Sequence, residues 1–290
     1  MAEKYTRRAV LGAAGAAVAA GAAVRLSGGD GEAAASDLVV AHRTVGPIPA
    51  DDPSHSEWSR SPVRVALLPQ NLAAPGLTTA SVQELTVSAL RDDTELGLRM
   101  VWSDEERDDL EGLKRFQDAV AVQLPVRRRT WPPITMGGPG SPVHVLQWRA
   151  GWQRDIDEGH AGVDAIYPRV VRDLDPADLL GERTGALYSP GLALGNPMSA
   201  RERSSPVDEA VAEGFGSLTH VPDRRARGRG VWSDGQWAVS IALPLDRRPI
   251  ADAIEDTLAW PVAFAVWSGS KGDRGGRKQY ADWISLSLAP

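Results

Sequence analysis

The chain has 290 residues, 42% hydrophobic and 24% charged, with 32 basic against 38 acidic side chains and a formal charge of −6. That supplies apolar material for one large domain or two small ones, and it carries none of the basic footprint of a nucleic-acid binder. Cysteine is absent, which excludes disulfides, thiolate-bound zinc or iron–sulfur clusters, thiol catalysis and any thioether-linked prosthetic group.

Residues 1–35 read as an export signal. Lys4, Arg7 and Arg8 precede an apolar run from Ala9 to Val24, and Ala33-Ala34-Ala35 offers a cleavage site. Thr6-Arg7-Arg8-Ala9-Val10-Leu11 resembles a twin-arginine signal, which exports folded cargo, so a periplasmic or extracytoplasmic protein is expected. The run is rich in Ala and Gly and too short for a membrane span. Residues 36–62, with Pro47, Pro49, Asp51, Asp52 and Pro53 close together, read as a linker. The folded body is then expected over 63–290.

Strand patterns dominate that body. Leu85, Val87 and Ala89 alternate with Glu84, Thr86 and Ser88. After the turn 91–94, Leu96, Leu98, Met100 and Trp102 alternate again. This predicts a hairpin with one buried face. Further strands are expected at 119–124, 143–150, 237–243, 262–267 and 283–288. Ser103 to Leu113 reads as a short acidic helix or a surface excursion, and Pro206 to Phe215 as a short helix. The Gly-, Pro- and charge-rich segment 151–205 reads as an excursion across one end of the sheet. The expected fold is mainly β: a β-sandwich of two antiparallel sheets with short helices and long loops.

Motifs for independent catalysis are missing: there is no Gly-x-Ser-x-Gly, His-Glu-x-x-His or Gly-x-x-x-x-Gly-Lys-Ser/Thr. Of the five histidines, His42, His55, His144, His160 and His220, no two have metal-ligand spacing. His144, eight residues after Met136, either bonds locally or serves a cofactor. Met136 stands on a Gly/Pro loop, Thr135-Met-Gly-Gly-Pro-Gly-Ser-Pro142, before the strand ending in Gln147-Trp148-Arg149-Ala150. A methionine there either fills core or presents its thioether to a soft acceptor such as haem iron. Lysine is scarce, yet Lys271 and Lys278 share one Gly-rich loop. A lysine binds iron only after losing its proton, which burial promotes.

Several separated stretches together resemble the b-haem-binding gamma subunits of ethylbenzene dehydrogenase, dimethyl sulfide dehydrogenase and the selenate and chlorate reductases. They are the Met136 loop with its strand, Phe264-Ala-Val-Trp267 with the loop through Trp283, Phe116 to Pro125, Gly195-Asn-Pro-Met-Ser199, Ala212 to Thr219 and Gly235 to Val239. The resemblance implies one non-covalent haem b at one end of a β-sandwich, with Met136 and Lys278 as axial ligands and Lys271 as the fallback. Met198 is the competing methionine, and Gly137, Gly138, Trp148, Asn196 and Met198 are implied as cofactor-binding. The chain departs from the family pattern at Gln279-Tyr280, where Ser-Val is common. A six-coordinate haem with no open position transfers single electrons. The implied partners are a molybdenum-containing catalytic alpha subunit, an iron–sulfur beta subunit and a soluble cytochrome or quinol-linked carrier. The chain itself is then a non-catalytic relay, soluble or held at a membrane only through its complex. The competing reading is a secreted, Trp-rich sandwich that stacks sugar rings without haem, and the Met136–Lys278 pair discriminates between them.

Overall fold

Alternating apolar and polar positions give strands that bury one face, and the computed structural model shows that pattern over residues 34–35, 37–126, 131–169, 190–245 and 260–288, which are the residues described here. The export signal expected over residues 1–35 lies almost wholly outside them. The strands are β1 (Ala34–Ala35), β2 (Leu38–Arg43), β3 (Val63–Ala66), β4 (Leu68–Pro69), β5 (Glu84–Arg91), β6 (Glu95–Ser103), β7 (Ala119–Pro125) and β8 (Val143–Arg149). They continue as β9 (Val207–Ala212), β10 (Thr219–His220), β11 (Arg227–Ser233), β12 (Gln236–Pro244), β13 (Trp260–Trp267), β14 (Gln279–Tyr280) and β15 (Ile284–Leu288). One nine-residue helix, α1 (Ala150–Glu158), follows β8 directly.

The main strand order is β10-β9-β8-β7-β13-β15-β2-β5-β6-β12-β11. Strand β13 links the two layers: Trp260–Val262 pair with β15, whereas Ala263–Trp267 pair with β7. The layers close on a shared core. Leu85, Val87, Leu98, Met100, Val239 and Ile241 on one side meet Val120, Val122, Leu146, Trp148, Val262 and Phe264 on the other. This is the expected two-layer β fold, with one difference. Most pairs are antiparallel, but β1 lies parallel to β3, and β2 lies parallel to both β15 and β5.

That strand corrects the expected boundary at residue 63. Val39 and Ala41 are fully buried, and Ile48, Ala50 and Trp58 form their own buried cluster with Leu90 and Ala242. The turn formers of 36–62 punctuate a packed segment and do not make a free linker. The expected helix at 206–215 is also corrected. Residues 207–212 are β9, paired in register to β8 and β10. Its charges Asp208 and Glu209, which looked like a solvated helix face, are buried against His220 (2.9 Å) and His144 (3.4 Å). Ser103 to Leu113 is an excursion, not a helix beyond β6. Segment 151–205 opens with α1, whose N-terminus is served from a distance: Gln117 Oε1 accepts from Gly151 N–H at 2.8 Å, and Asp118 C=O from Ala150 N–H at 3.0 Å.

Candidate functional site

The site is built on the outer face of the β8–β7–β13 sheet, the face turned away from the core. Because side chains alternate, the core residues Val120, Val122, Leu146 and Phe264 leave Ala119, Ala121, Gln123, Val145, Gln147, Arg149, Ala263, Ala265 and Trp267 on the other side. Register arranges these in rows across the strands: Trp267–Ala119–Arg149, then Ala265–Ala121–Gln147, then Ala263–Gln123–Val145. Alanine at the middle positions lowers the floor. Loops around residues 70–76, 134–136, 215–218 and 275–278 stand around it, enclosing a cavity of about 470 Å³. That is the size of a cofactor or small-molecule pocket, with mostly apolar walls. It lies on the sheet's outer face, whereas the family resemblance implied a site at one end of the sandwich.

Met136 enters this cavity from a strained turn. Its φ is +63°, a left-handed conformation uncommon for a non-glycine residue. The turn is held by Met136 N–H to Ile134 C=O and Gly137 N–H to Pro133 C=O, at 2.8 and 2.9 Å, and Gly214 N–H donates to Met136 C=O at 2.8 Å. Gly137, at φ +77°, has no room for a side chain: a Cβ would stand 2.6 Å from Ser141 C=O. Gly138 and Ser141 then bridge to each other. Gly137 and Gly138 therefore shape the methionine loop by backbone geometry.

Lys278 enters from a second turn of similar build, in which Arg274 and Arg277 bridge around Gly275-Gly276. Gln70 clamps it, accepting nothing from the lysine side chain but donating Nε2–H to Gly276 C=O at 2.7 Å and N–H to Lys278 C=O at 2.9 Å. Trp267 Nε1–H donates to Gly275 C=O at 3.0 Å. The lysine as a whole keeps some surface because it borders the cavity, yet burial of its amine pulls its pKa down to about 8. At pH 7 the neutral, metal-binding form then rises from about one molecule in three thousand to about one in ten. The indole face of Trp267, 4.9 Å from Nζ, works the other way by favouring the ammonium.

Beneath that turn lies a nearly dry group of carboxylates. Asp118 accepts from Gly269 N–H (2.8 Å), Asp108 N–H (2.8 Å) and Trp237 Nε1–H (2.9 Å), tying the 104–118 excursion to the loop that carries Lys278. Burial, reinforced by neighbouring Asp104, pushes Asp118 up to about 7, and burial raises Asp104, Asp108 and Asp273 in the same direction. A raised carboxyl pKa means the folded chain holds its proton longer than the unfolded chain does. The stability this contributes is complete below the unfolded value near 4 and is lost as pH rises towards 7. The melting temperature is therefore expected to fall between pH 5 and 8. Asp118→Asn should lower it at pH 5, where hydrogen bonds are lost, and flatten the slope; an unchanged slope in thermal melts would exclude Asp118 as its source.

Met136 and Lys278 thus border one cavity. Lys271 is exposed and does not line it. Neither does Met198, 42% exposed on a 3-10 turn whose N-cap is Asn196, with Oδ1 accepting from Met198 N–H at 3.0 Å. Trp148 is fully buried on the core face, with its ring 4.9 Å from Trp237 at 61°. His144 is turned to Glu209. The sequence reading missed most of the walls: Gln70, Leu72, Phe215, Leu218, Trp267, Tyr280 and Arg149 all line the cavity. The one available signal was the run of alanines at alternate positions in β7 and β13, which marks a face kept shallow.

Comparison with known proteins finds similarity to one family and to several gamma or heme subunits. The family described as ethylbenzene dehydrogenase matches residues 55–180. The chain is 26% identical over 287 residues to the chlorate reductase gamma subunit of Ideonella dechloratans, covering 97% of this chain and 96% of that one. It is 26% identical over 244 residues to a protein of Haloferax mediterranei named as a respiratory nitrate reductase heme subunit, covering 82% and 68%. The dimethylsulfide dehydrogenase gamma subunit of Rhodovulum sulfidophilum is 25% identical over 248 residues, covering 83% and 76%. Among solved structures, a family 9 carbohydrate-binding module from Caldicellulosiruptor kristjanssonii in complex with glucose aligns over 87% of this chain and 95% of that one. Its identity is 8% and its TM-score 0.38, too low to support a functional inference.

Proposed function

We propose that this chain, similar to the gamma subunits of chlorate reductase and dimethylsulfide dehydrogenase, is a non-catalytic subunit that relays electrons through one b-type haem held in the cavity on the outer face of β8–β7–β13. The observation that carries the proposal is the convergence of Met136 and Lys278 on that cavity. The donor set and the walls fit such a group. A thioether and an amine are both neutral donors to iron, the floor is low and apolar, and the absence of cysteine requires that the group be held without a covalent link.

In this reading Met136 Sδ and Lys278 Nζ would hold the metal from two preformed turns. The haem, when bound, supplies single-electron transfer. With both side chains bound to it, the metal would keep no place for substrate or oxygen, which would suit a relay and not a catalyst. The chain's own contribution is rigidity. Gln70, Trp267 and the Asp118 network hold the lysine turn, and the bond from Gly214 holds the methionine turn, so little rearrangement accompanies a change of charge at the metal. Ala121, Ala263, Ala265 and Phe215 give the site apolar walls. The proposed partners are a molybdenum-containing catalytic subunit and an iron–sulfur subunit on one side, and a soluble cytochrome or quinol-linked carrier on the other. The proposed location is outside the cytoplasm, reached through the segment before residue 34.

The test is the absorption spectrum of the purified chain, oxidised and dithionite-reduced, with a pyridine haemochrome assay. One b-type haem per chain and a sharp reduced alpha band are expected. A colourless chain that refuses added haem would overturn the proposal.

A further inference from the structure

The cavity has one charged end that the axial pair does not use. Arg149 closes the row Trp267–Ala119–Arg149 on the floor. It stands two strand spacings, roughly 10 Å, from the tryptophan beneath the lysine amine. Its guanidinium has five donors, yet among the described residues only Nη2 makes a hydrogen bond, to Gln147 Oε1 at 2.7 Å. Nε is buried with no partner. The guanidinium lies 5.3 Å from the ring of Trp152, and no carboxylate of the described residues forms an ion pair with it. Asp208 and Glu111 are near enough to act through space, but the Asp208 carboxylate is engaged by His220. A guanidinium this dry, left without an anion, is costly unless a ligand supplies one. The rest of the floor is alanine, valine, glutamine and Trp267, and apart from Lys278, Arg149 is the one cation among the described residues that line the cavity.

We infer that Arg149 is the anion-binding end of this cavity and takes a carboxylate of the bound macrocycle, a haem propionate. The inference rests on the haem reading above and adds an orientation to it. With one propionate edge held at Arg149, beside Gln147, the apolar edge of the ring lies over Ala121, Ala263 and Ala265. Arginine suits the role because its planar fork meets a carboxylate with two parallel hydrogen bonds, which a lysine does not.

The experiment removes the charge from each side in turn. Apoprotein of the full chain, wild type and Arg149→Gln, is titrated with protohaem IX and with its dimethyl ester, and the dissociation constants are read from the Soret band. Wild type is expected to prefer the free acid by about ten- to a hundredfold, the range for a charge-assisted pair. Arg149→Gln is expected to lose affinity for the free acid by a similar factor and to bind both forms alike. Arg149→Lys, which keeps the charge but not the fork, retains part of the preference and serves if the glutamine variant does not fold. Equal binding of acid and ester by wild type, or an undiminished preference in Arg149→Gln, would overturn the inference while leaving the haem reading intact. A wild-type chain that binds neither form overturns both.

Discussion

Met136→Ala and Lys278→Ala are each expected to convert the ferric haem spectrum from six-coordinate low-spin to high-spin and to weaken haem retention at least tenfold, while Lys271→Ala leaves spectrum and retention unchanged. The contrast between the two lysines is the stronger half of this prediction. They lie seven residues apart in one loop, and only Lys278 borders the cavity. Its amine has been brought by burial to about 8, so a metal displaces its proton at far smaller cost than from an exposed lysine. On the methionine side, a left-handed φ of +63° is sustained by three backbone hydrogen bonds around the turn, a strain expected where a side chain must be presented in one direction. Removing the thioether leaves that turn folded, so circular dichroism should be unchanged while the spectrum shifts. Low-spin spectra in both variants would move the ligands elsewhere. The reverse pattern for the lysines would assign the role to Lys271.

Trp148→Ala is expected to destabilise the fold by about 3–5 kcal/mol, the range for truncating a buried tryptophan, measured as a fall in the denaturation midpoint. The ring is fully buried and packs edge-on to Trp237, which stacks on Trp102 at 6.3 Å. Across from it Gly230 has no room for even a methyl, since a Cβ would come within 2.1 Å of the indole. The cluster joins β8 of one layer to β6 and β12 of the other, so the loss falls on the contact between layers. At temperatures where the variant stays folded, its haem spectrum should match wild type. A changed spectrum with undiminished stability would instead return Trp148 to the cofactor wall.

Much of the strand content was legible because half-buried strands write their exposure into alternate residues. The hairpin of Leu85, Val87 and Ala89 with Leu96, Leu98, Met100 and Trp102 is in place, as are the strands around 119–124, 143–149 and 262–267. Where alternation was hidden by charge, the reading failed. Asp208 and Glu209 in β9 look like a helix surface until their histidine partners, contributed by β10 and β8, are brought alongside. Strand β2 was obscured by the prolines that follow it. The fully buried β13 carries Trp260 to Trp267 as one apolar run, and nothing local says that its two halves belong to different layers.

By itself the sequence determined the absence of thiol chemistry, the period-two strands and the two loops whose glycines allow a methionine and a lysine to be presented. Those are local properties of composition, alternation and turn geometry. Only the tertiary structure decided that the loops overlook the same cavity, that Trp148 faces the core while Arg149, its neighbour, faces the cavity, and that Lys278 is desolvated and Lys271 is not. Side chains one residue apart in a strand point to opposite faces, and burial depends on which distant segments are folded over each face. Residue 278 meets residue 70, and residue 136 meets residue 214, contacts that pairing between strands far apart in the chain creates.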